Sequence, residues 1–486
     1  MTTMHDDIHT KAPRLELASW RFKPARLGCL TEDAGTIEFK PLTLVCGQNN
    51  TGKTWVMYAL YAFLSSGFVM QNQPGLEPLV KKLEQDGQVT WDMAQWAEEN
   101  GKKLLKALNL SIERSFSTVF NSSPEIFQGS KFDWDVDLAQ LVAQAIARPL
   151  DSRLILGRER HEALRLSKAA GANQVQIVLG IPPFPSLNNF LSDAIGRHLI
   201  GHPPRRHVFL MPAERNGLHL FHRELASRRS ALLHHAAKKD RDININQLIE
   251  DVVRSRYALP IADYLDWLND LPEVRKKKKG PFHDIAEEIK AIVGGRYEVD
   301  AEGDITFTPR KLKRGDTGTP PRMELHLASS TVKSLFGLWA YLEFDAQPGD
   351  VLMIDEPELN LHPSNQRRLA RLLAKLVNSG LRVVVSTHSD YLVREINSLL
   401  MLSRPAPVQQ ALMAKYGYSQ DELITPAQVS AWLFCDRRIQ PMDIDDVEGI
   451  AAKTFDDQIH ELNDTSDGIY YAYQDALGDH EREGNA

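Results

Sequence analysis

Residues 47–54 read Gly-Gln-Asn-Asn-Thr-Gly-Lys-Thr, and residues 351–363 read Val-Leu-Met-Ile-Asp-Glu-Pro-Glu-Leu-Asn-Leu-His-Pro. The first segment fits G-x-x-x-x-G-K-[ST]. Such glycines let backbone N–H groups converge on phosphate oxygens, and the helix that follows adds its positive N-terminal end. In this pattern Gly47, Asn49, Asn50, Thr51 and Gly52 shape the cradle. Lys53 reaches the β- and γ-phosphates, and the Thr54 hydroxyl ligates Mg²⁺. The second segment is an apolar run ending in Asp355-Glu356. A strand that ends in an acid delivers it to the carboxyl edge of a parallel sheet, where a nucleotide sits. Asp355 is then expected to hold Mg²⁺ through water, and Glu356 to orient and polarise the attacking water. Together the two segments point to binding and hydrolysis of a nucleoside triphosphate.

A third segment joins them. Val383-Val384-Val385 leads into Ser386-Thr387-His388-Ser389, which places an imidazole at the end of another strand of the same sheet. A lone His is more often a satisfied surface or core residue. This one sits where a strand end faces the γ-phosphate.

These residues need elements to carry them. Leu42–Cys46 is a buried strand into the phosphate loop, and Trp55–Leu64 an apolar helix out of it. Helices are expected at 77–86, 91–107, 136–148 and 186–200, with short strands in 151–182. A strand at 207–211 ends in Pro212-Ala213-Glu214-Arg215. Helices follow at 221–239, 244–270 and 283–293, then strands at 296–300, 304–308 and 322–328. From 329 the periods read helix 329–344, strand 351–355, helix 364–379, strand 382–386 and helix 390–400. Strands alternating with helices give a doubly wound α/β core. The expected organisation is an N-terminal head lobe over 1–70, a mainly helical insertion over 71–204, the rest of the head over 205–400, and a C-terminal hairpin-and-helix extension over 401–486. The hairpin is expected at 429–435 and 438–444, and a tail helix at 454–475 packed on the head. No heptad run is sustained, which argues against long coiled-coil arms.

The chain has 486 residues, 43% of them hydrophobic, enough for two or three domains or one large domain with an insertion. With 57 basic against 64 acidic residues the net charge is −7, which is not the coat of a protein built to bind nucleic acid over its whole surface. Three scattered cysteines form no disulfide framework or metal spacing, so a reducing cytoplasm is expected. The polar N-terminus has no signal-like apolar stretch. The apolar runs fall short of the roughly 18 residues of a membrane span.

The order of phosphate loop, long insertion, Ser-rich helix start, Asp-Glu strand and His resembles an ABC-type P-loop ATPase head. The wording Gly-Gln-Asn-Asn-Thr-Gly-Lys-Thr, Ile-Asp-Glu-Pro-Glu-Leu-Asn-Leu-His-Pro and Ser-Thr-His-Ser-Asp-Tyr-Leu is similar to the OLD-like branch, the overcoming-lysogenisation-defect ATPases of the AAA15/AAA21 kind. Heads of that branch resemble those of RecF and SMC proteins. The likeness covers 15–60 and 205–400.

The resemblance implies that two subunits sandwich two ATP molecules, a signature helix of one capping the γ-phosphate held by the other. The matching segment is Leu327–Ser334, which departs from the transporter form Leu-Ser-Gly-Gly-Gln. Ser329 and Ser330 either offer hydroxyls and helix N–H groups to a phosphate or simply cap their helix. Asn360 and His362 match the loop that crosses the dimer interface. Glu214 or Arg215 faces the nucleotide, or makes a structural salt bridge. Many OLD proteins add a Toprim nuclease. Asp443-Ile444-Asp445 has the form of its metal-binding pair, but no catalytic Glu precedes it on a strand and turn, so no nuclease site is expected here.

The function implied is that of an ATPase subunit in bacterial anti-phage defence, like those of PARIS, Septu or retron-linked modules. Its expected cofactors are ATP and Mg²⁺. Its expected partners are a second copy, an effector (a nuclease) encoded by a neighbouring gene, and a nucleic acid or phage protein as trigger. The alternative is a DNA-repair ATPase of the RecF kind. That reading assigns the basic run Arg275–Lys279, and Lys311, Lys313 and Arg314, to DNA backbone; the plainer reading is solvated loops. The altered signature and large insertion disfavour a transporter motor. The pairs His219/His222 and His234/His235 lack ligand partners at metal spacing.

Overall fold

A computed structural model describes residues 19–65, 75–156, 161–184, 186–201, 208–225, 257–276, 279–310, 320–445, 447–451, 461 and 463–473. The expected tail at 1–13 and the loop residues Lys311, Lys313 and Arg314 lie outside them, as do His234, His235 and most of the span 221–256.

The chain opens with β1 (Arg21–Ala25) and β2 (Ile37–Glu38), paired antiparallel, and runs through β3 (Leu42–Gly47) into the phosphate loop and helix Lys53–Ser65. After β4 (Gln88–Asp92) comes a 27-residue helix, Met93–Val119. Asp92 caps it by accepting the Gln95 N–H at 3.0 Å. Its buried residues Leu104, Leu108, Ile112 and Phe116 recur at helical spacing and make one stripe. That stripe's later residues share a core with the phosphate-loop helix. Next, β5 (Lys131–Trp134) returns to pair with β1, and Phe22 stacks on Phe132 with ring centroids 4.7 Å apart. Residues 108–134 therefore pack with the N-terminal lobe, and the boundary drawn at residue 70 is crossed by its own sheet.

The remainder of the expected insertion is built on a sheet as much as on helices. β6 (Leu150–Leu156), β7 (His161–Lys168) and β8 (Gln174–Leu179) join β4 in the antiparallel order β4-β8-β7-β6. Helices Glu77–Asp86, Leu138–Ala147 and Leu187–Ile200 accompany it, and the unit has its own core around Trp91, Trp96, Leu164, Ile177 and Leu191. Strands were expected in 151–182; β4 hides in the sequence because only five residues alternate before the helix begins.

The central sheet contains β9 (Val208–Met211), β13 (Val351–Asp355), β14 (Arg382–Thr387), β15 (Val429–Cys435) and β16 (Arg438–Pro441) in the order β16-β15-β3-β14-β13-β9. Every pairing is parallel except β15 with β16. Such strands are buried on both faces and read as continuous apolar runs, as β13 does with all five residues buried. Alternate residues point to opposite faces. Val45, Met353 and Val384 pack on the Lys53–Ser65 side. Leu44, Ile354 and Val385 face helices Ser330–Phe344, Pro363–Asn378 and Asp390–Ser403. A small antiparallel sheet of β10 (Gly295–Val299), β11 (Ile305–Pro309) and β12 (Met323–Glu324) covers that second layer.

Three expectations are corrected. The strand at 322–328 shrinks to β12 followed by a 3₁₀ turn, Leu325–Leu327, because the chain must turn into the helix cap at Ser329. The C-terminal hairpin is no extension: β15 lies parallel to β3, register Val429↔Leu42 to Phe434↔Gly47, and completes the head's own sheet. The tail helix is described over 463–473, and every one of those residues is exposed rather than packed on the head.

Candidate functional site

The phosphate loop leaves β3 through backbone that side chains resist. Gly47 has φ +139°, and a Cβ there would run into the Phe434 carbonyl on β15. Gly52 has φ +100° and Asn50, a residue type that tolerates the left-handed region, φ +62°. Cys29 ties the loop from outside, its thiol 3.3 Å from the Asn50 carbonyl, and Thr51 donates to the Gln48 carbonyl at 2.8 Å. Asn49 and Asn50 are exposed. Lys53 is buried, and its ammonium donates to the carbonyls of Gly47 at 2.9 Å and Gln48 at 2.7 Å. Burial lowers its pKa, while Asp355 and Glu356 pull it up. The ammonium is thus held at the mouth of the cradle by carbonyls it can exchange for phosphate oxygens.

The acids arrive from β13. Asp355 is buried, and burial raises its carboxyl above the usual range. Its Oδ2 accepts from the Thr54 hydroxyl at 3.1 Å, and its Oδ1 accepts from the Ser386 hydroxyl. Asp355 and Ser386 face each other in the β13–β14 register. Two hard oxygens side by side, Thr54 Oγ1 and Asp355 Oδ2, suit Mg²⁺, which takes one or two protein oxygens and keeps waters and phosphate oxygens for the rest.

Glu356 stands in the left-handed region at φ +50°. For a non-glycine residue this costs of order 1 kcal/mol and persists only where surroundings enforce it. Its N–H donates to the Ser386 carbonyl at 3.2 Å and the Ser386 hydroxyl at 3.0 Å. Its carboxylate Oε1 lies 3.3 Å from His388 Nε2, close but outside hydrogen-bond alignment. The two side chains are about equally exposed, at 28% and 30%, so both can reach a ligand above the sheet edge. Glu358 holds the His388 backbone: its Oε1 accepts the His388 N–H at 2.6 Å and the Thr387 hydroxyl at 2.9 Å.

Gly47–Thr54, Asp355, Glu356 and His388 therefore converge at one edge of the sheet. Ser329 and Ser330 do not join them. Both are exposed, Ser329 caps helix Ser330–Phe344 by accepting the Val332 N–H at 3.4 Å, and among the described residues no hydrogen bond links either to the phosphate loop. Asn360 and His362 are also exposed; the Asn360 carbonyl accepts from Thr331 at 3.0 Å, and His362 caps helix Pro363–Asn378.

Arg215 is neither of the things expected of it. It is 1% exposed and, among the described residues, makes no salt bridge and no hydrogen bond to the phosphate loop; its guanidinium donates to backbone carbonyls and to Ser334. Among the basic run, Arg275 donates to the Val299 carbonyl, Lys276 pairs with Glu273 and Lys279 with His283, so the described members are engaged locally. Lys277 and Lys278 lie outside the described residues. His219 is a buried core histidine, between the Lys333 carbonyl at 2.9 Å and the Tyr264 hydroxyl at 2.6 Å, and burial pushes it down to about 3. Asp445 caps a turn by accepting the N–H groups of Val447 and Glu448.

Sequence reasoning missed Ser386, Glu358 and Ser334. Ser386 was legible in principle: a small polar residue one step before Thr387-His388 must sit beside the end of β13 once β13 and β14 are neighbours. Glu358 and Ser334 act on groups that only the fold brings to them, the His388 N–H and Thr387 hydroxyl for one and Arg215 and the Leu359 carbonyl for the other, for which a sequence carries no signal.

Residues 201–394 match the family model described as "AAA domain, putative AbiEii toxin, Type IV TA system". Among solved structures the chain is similar to the "SMC head domain from Thermotoga maritima", at 11% identity over 88% of this chain and 99% of that one, TM-score 0.29. It is also similar to the Smc head domain with an extended coiled coil bound to the C-terminal domain of ScpA, derived from Pyrococcus furiosus, at 13% identity over 92% of this chain and 99% of that one, TM-score 0.31. No curated protein matches the chain. Among the described residues no helix is long and apolar enough to cross a membrane.

Proposed function

We propose that this chain is an ABC-type P-loop ATPase of the AAA15/AAA21 kind, that it closes as a dimer on ATP, and that by doing so it controls a separate effector in bacterial anti-phage defence; over residues 201–394 the match to an AAA-domain model supports the first part. The observation that carries the ATPase chemistry is the convergence of Thr54 with Asp355 at 3.1 Å and of Glu356 with His388 at 3.3 Å. Thr54 and Asp355 would hold Mg²⁺, which would supply neutralising charge for the phosphate oxygens. Lys53 and the loop N–H groups bind and orient the triphosphate. Glu356 takes the proton side of the attacking water, and His388 steadies the γ-phosphate. This division suits phosphoryl transfer, in which positioning and electrostatics supply most of the catalysis.

Dimer closure rests on the resemblance and on an exposed helix start. Ser329 and Ser330 stand exposed on a helix start with no partner in their own phosphate loop. A helix N-terminus with two hydroxyls is suited to a phosphate brought by a second subunit. The effector reading rests on the resemblance; the description of the matched family mentions a toxin–antitoxin system but no separate effector. The effector would be a nuclease encoded by a neighbouring gene.

Phosphate release and nucleotide binding by three purified chains test the chemistry. Lys53→Ala should lose ATP binding. Glu356→Gln should bind ATP but hydrolyse it about 100-fold or more slowly than the unaltered chain. Normal turnover by Glu356→Gln would remove the assignment. Co-purification with the neighbouring gene's product tests the effector separately.

A further inference from the structure

One polar group in the head, buried and with every donor engaged, is not used by the chemistry above. Arg215 follows β9 and is buried directly behind the sheet edge. A guanidinium has five N–H donors in a fixed fork, and the donations here are five. Nη1 reaches the Asp355 carbonyl at 2.8 Å and the Pro212 carbonyl at 3.2 Å. Nη2 reaches the Glu356 carbonyl at 2.8 Å and the Ser334 hydroxyl at 3.2 Å. Nε reaches the Ser334 carbonyl at 3.3 Å. Ser334 in turn donates to the Leu359 carbonyl at 2.9 Å.

This fork joins two things. On one side are both carbonyls flanking Glu356, the residue in strained backbone at φ +50°, whose N–H is pinned from the other face by Ser386. On the other side is the second turn of the helix that begins with the exposed Ser329 and Ser330. A buried arginine kept only for stability would more simply pair with a carboxylate. This one directs four of its five donations to Ser334 and to the carbonyls of Asp355 and Glu356, the two places whose relative position decides whether Glu356 points at a water.

We infer that Arg215 is a positioning residue that couples the Ser329–Ser330 helix to Glu356: seating that helix on a nucleotide sets the peptide planes around Glu356 through one guanidinium. The inference rests on the ATPase reading above and adds the route by which closure turns hydrolysis on.

The test is steady-state hydrolysis and nucleotide binding by the full chain carrying Arg215→Lys, Ser334→Ala, or both. Lysine keeps the charge and offers three donors without the fork, so it cannot span both sides. We expect kcat to fall about 10- to 100-fold for Arg215→Lys, with KM and the dissociation constant for ATP within about threefold of the unaltered chain. Ser334→Ala, a small change, guards against a variant that merely fails to fold; it should lower kcat about 3- to 10-fold, and the double variant should be no worse than Arg215→Lys alone, because both cut the same link. Unchanged kcat in Ser334→Ala and Arg215→Lys, or fully additive losses, would overturn the coupling. Failure of the ATPase reading itself looks different: the unaltered chain would then show no hydrolysis sensitive to Glu356→Gln.

Discussion

Asp355 is the residue with most at stake between stability and function. Burial raises its pKa, while the Ser386 and Thr54 hydroxyls and the charge of Arg215 oppose that rise. A carboxyl whose folded pKa lies above its unfolded value, near 3.8, costs stability once the pH is high enough to ionise it, because the folded site disfavours the charge. Without nucleotide and metal the cost persists at neutral pH. Asp355→Asn should therefore raise the melting temperature of the ligand-free chain by a few degrees, on the order of 2–5 °C, while abolishing Mg²⁺-dependent hydrolysis. Scanning calorimetry at pH 7 without nucleotide checks it; a lower melting temperature would show that the hydrogen bonds from Ser386 and Thr54 outweigh the desolvation. Most of the site was legible at this scale. Lys53, Thr54, Asp355, Glu356 and His388 announce themselves by type and spacing. Arg215 did not, since a sequence cannot tell an arginine aimed at phosphate from one aimed at five oxygens of the fold.

Among the elements, helix Ser330–Phe344 is closely constrained. Its face carries Gly337, where a Cβ would collide with the Tyr264 hydroxyl and press on His219 Nε2. His219 bridges the same helix, at the Lys333 carbonyl, to Tyr264 of helix Leu259–Asn269. The absence of a side chain at 337 lets three elements meet within hydrogen-bond distance. Gly337→Ala should destabilise the chain by about 1–3 kcal/mol, the usual cost of overpacking, despite alanine's better helix propensity. Urea unfolding measures this, and a stabilised variant would mean that Tyr264 yields freely. The periodicities foretold this helix almost to its ends, as they did 77–86 and 283–293. They failed where pairing is decided by distant partners. β15 looked like a local hairpin because its antiparallel neighbour β16 adjoins it, whereas its other neighbour, β3, lies nearly the whole chain away. β5, which closes on β1, was lost for the same reason.

Across the whole molecule, the central sheet is a plate with a helix layer on each face. The phosphate loop opens from one end of the chain's β3, and the exposed Ser329–Ser330 helix start is fastened to the plate by Arg215, Thr331 and Ser334. On the proposed reading one subunit holds ATP, and the exposed Ser329 and Ser330 hydroxyls serve a second subunit. Mixing two inactive chains tests that division most directly. Lys53→Ala cannot hold ATP but keeps its capping helix; Ser330→Glu holds ATP but repels a partner's phosphate. Each alone should be inactive. Mixed, they form dimers with one intact site, and ATP hydrolysis should return to about a quarter of the unaltered rate with random pairing. Full activity of Ser330→Glu alone, or no recovery on mixing two chains that each dimerise, would contradict the composite site.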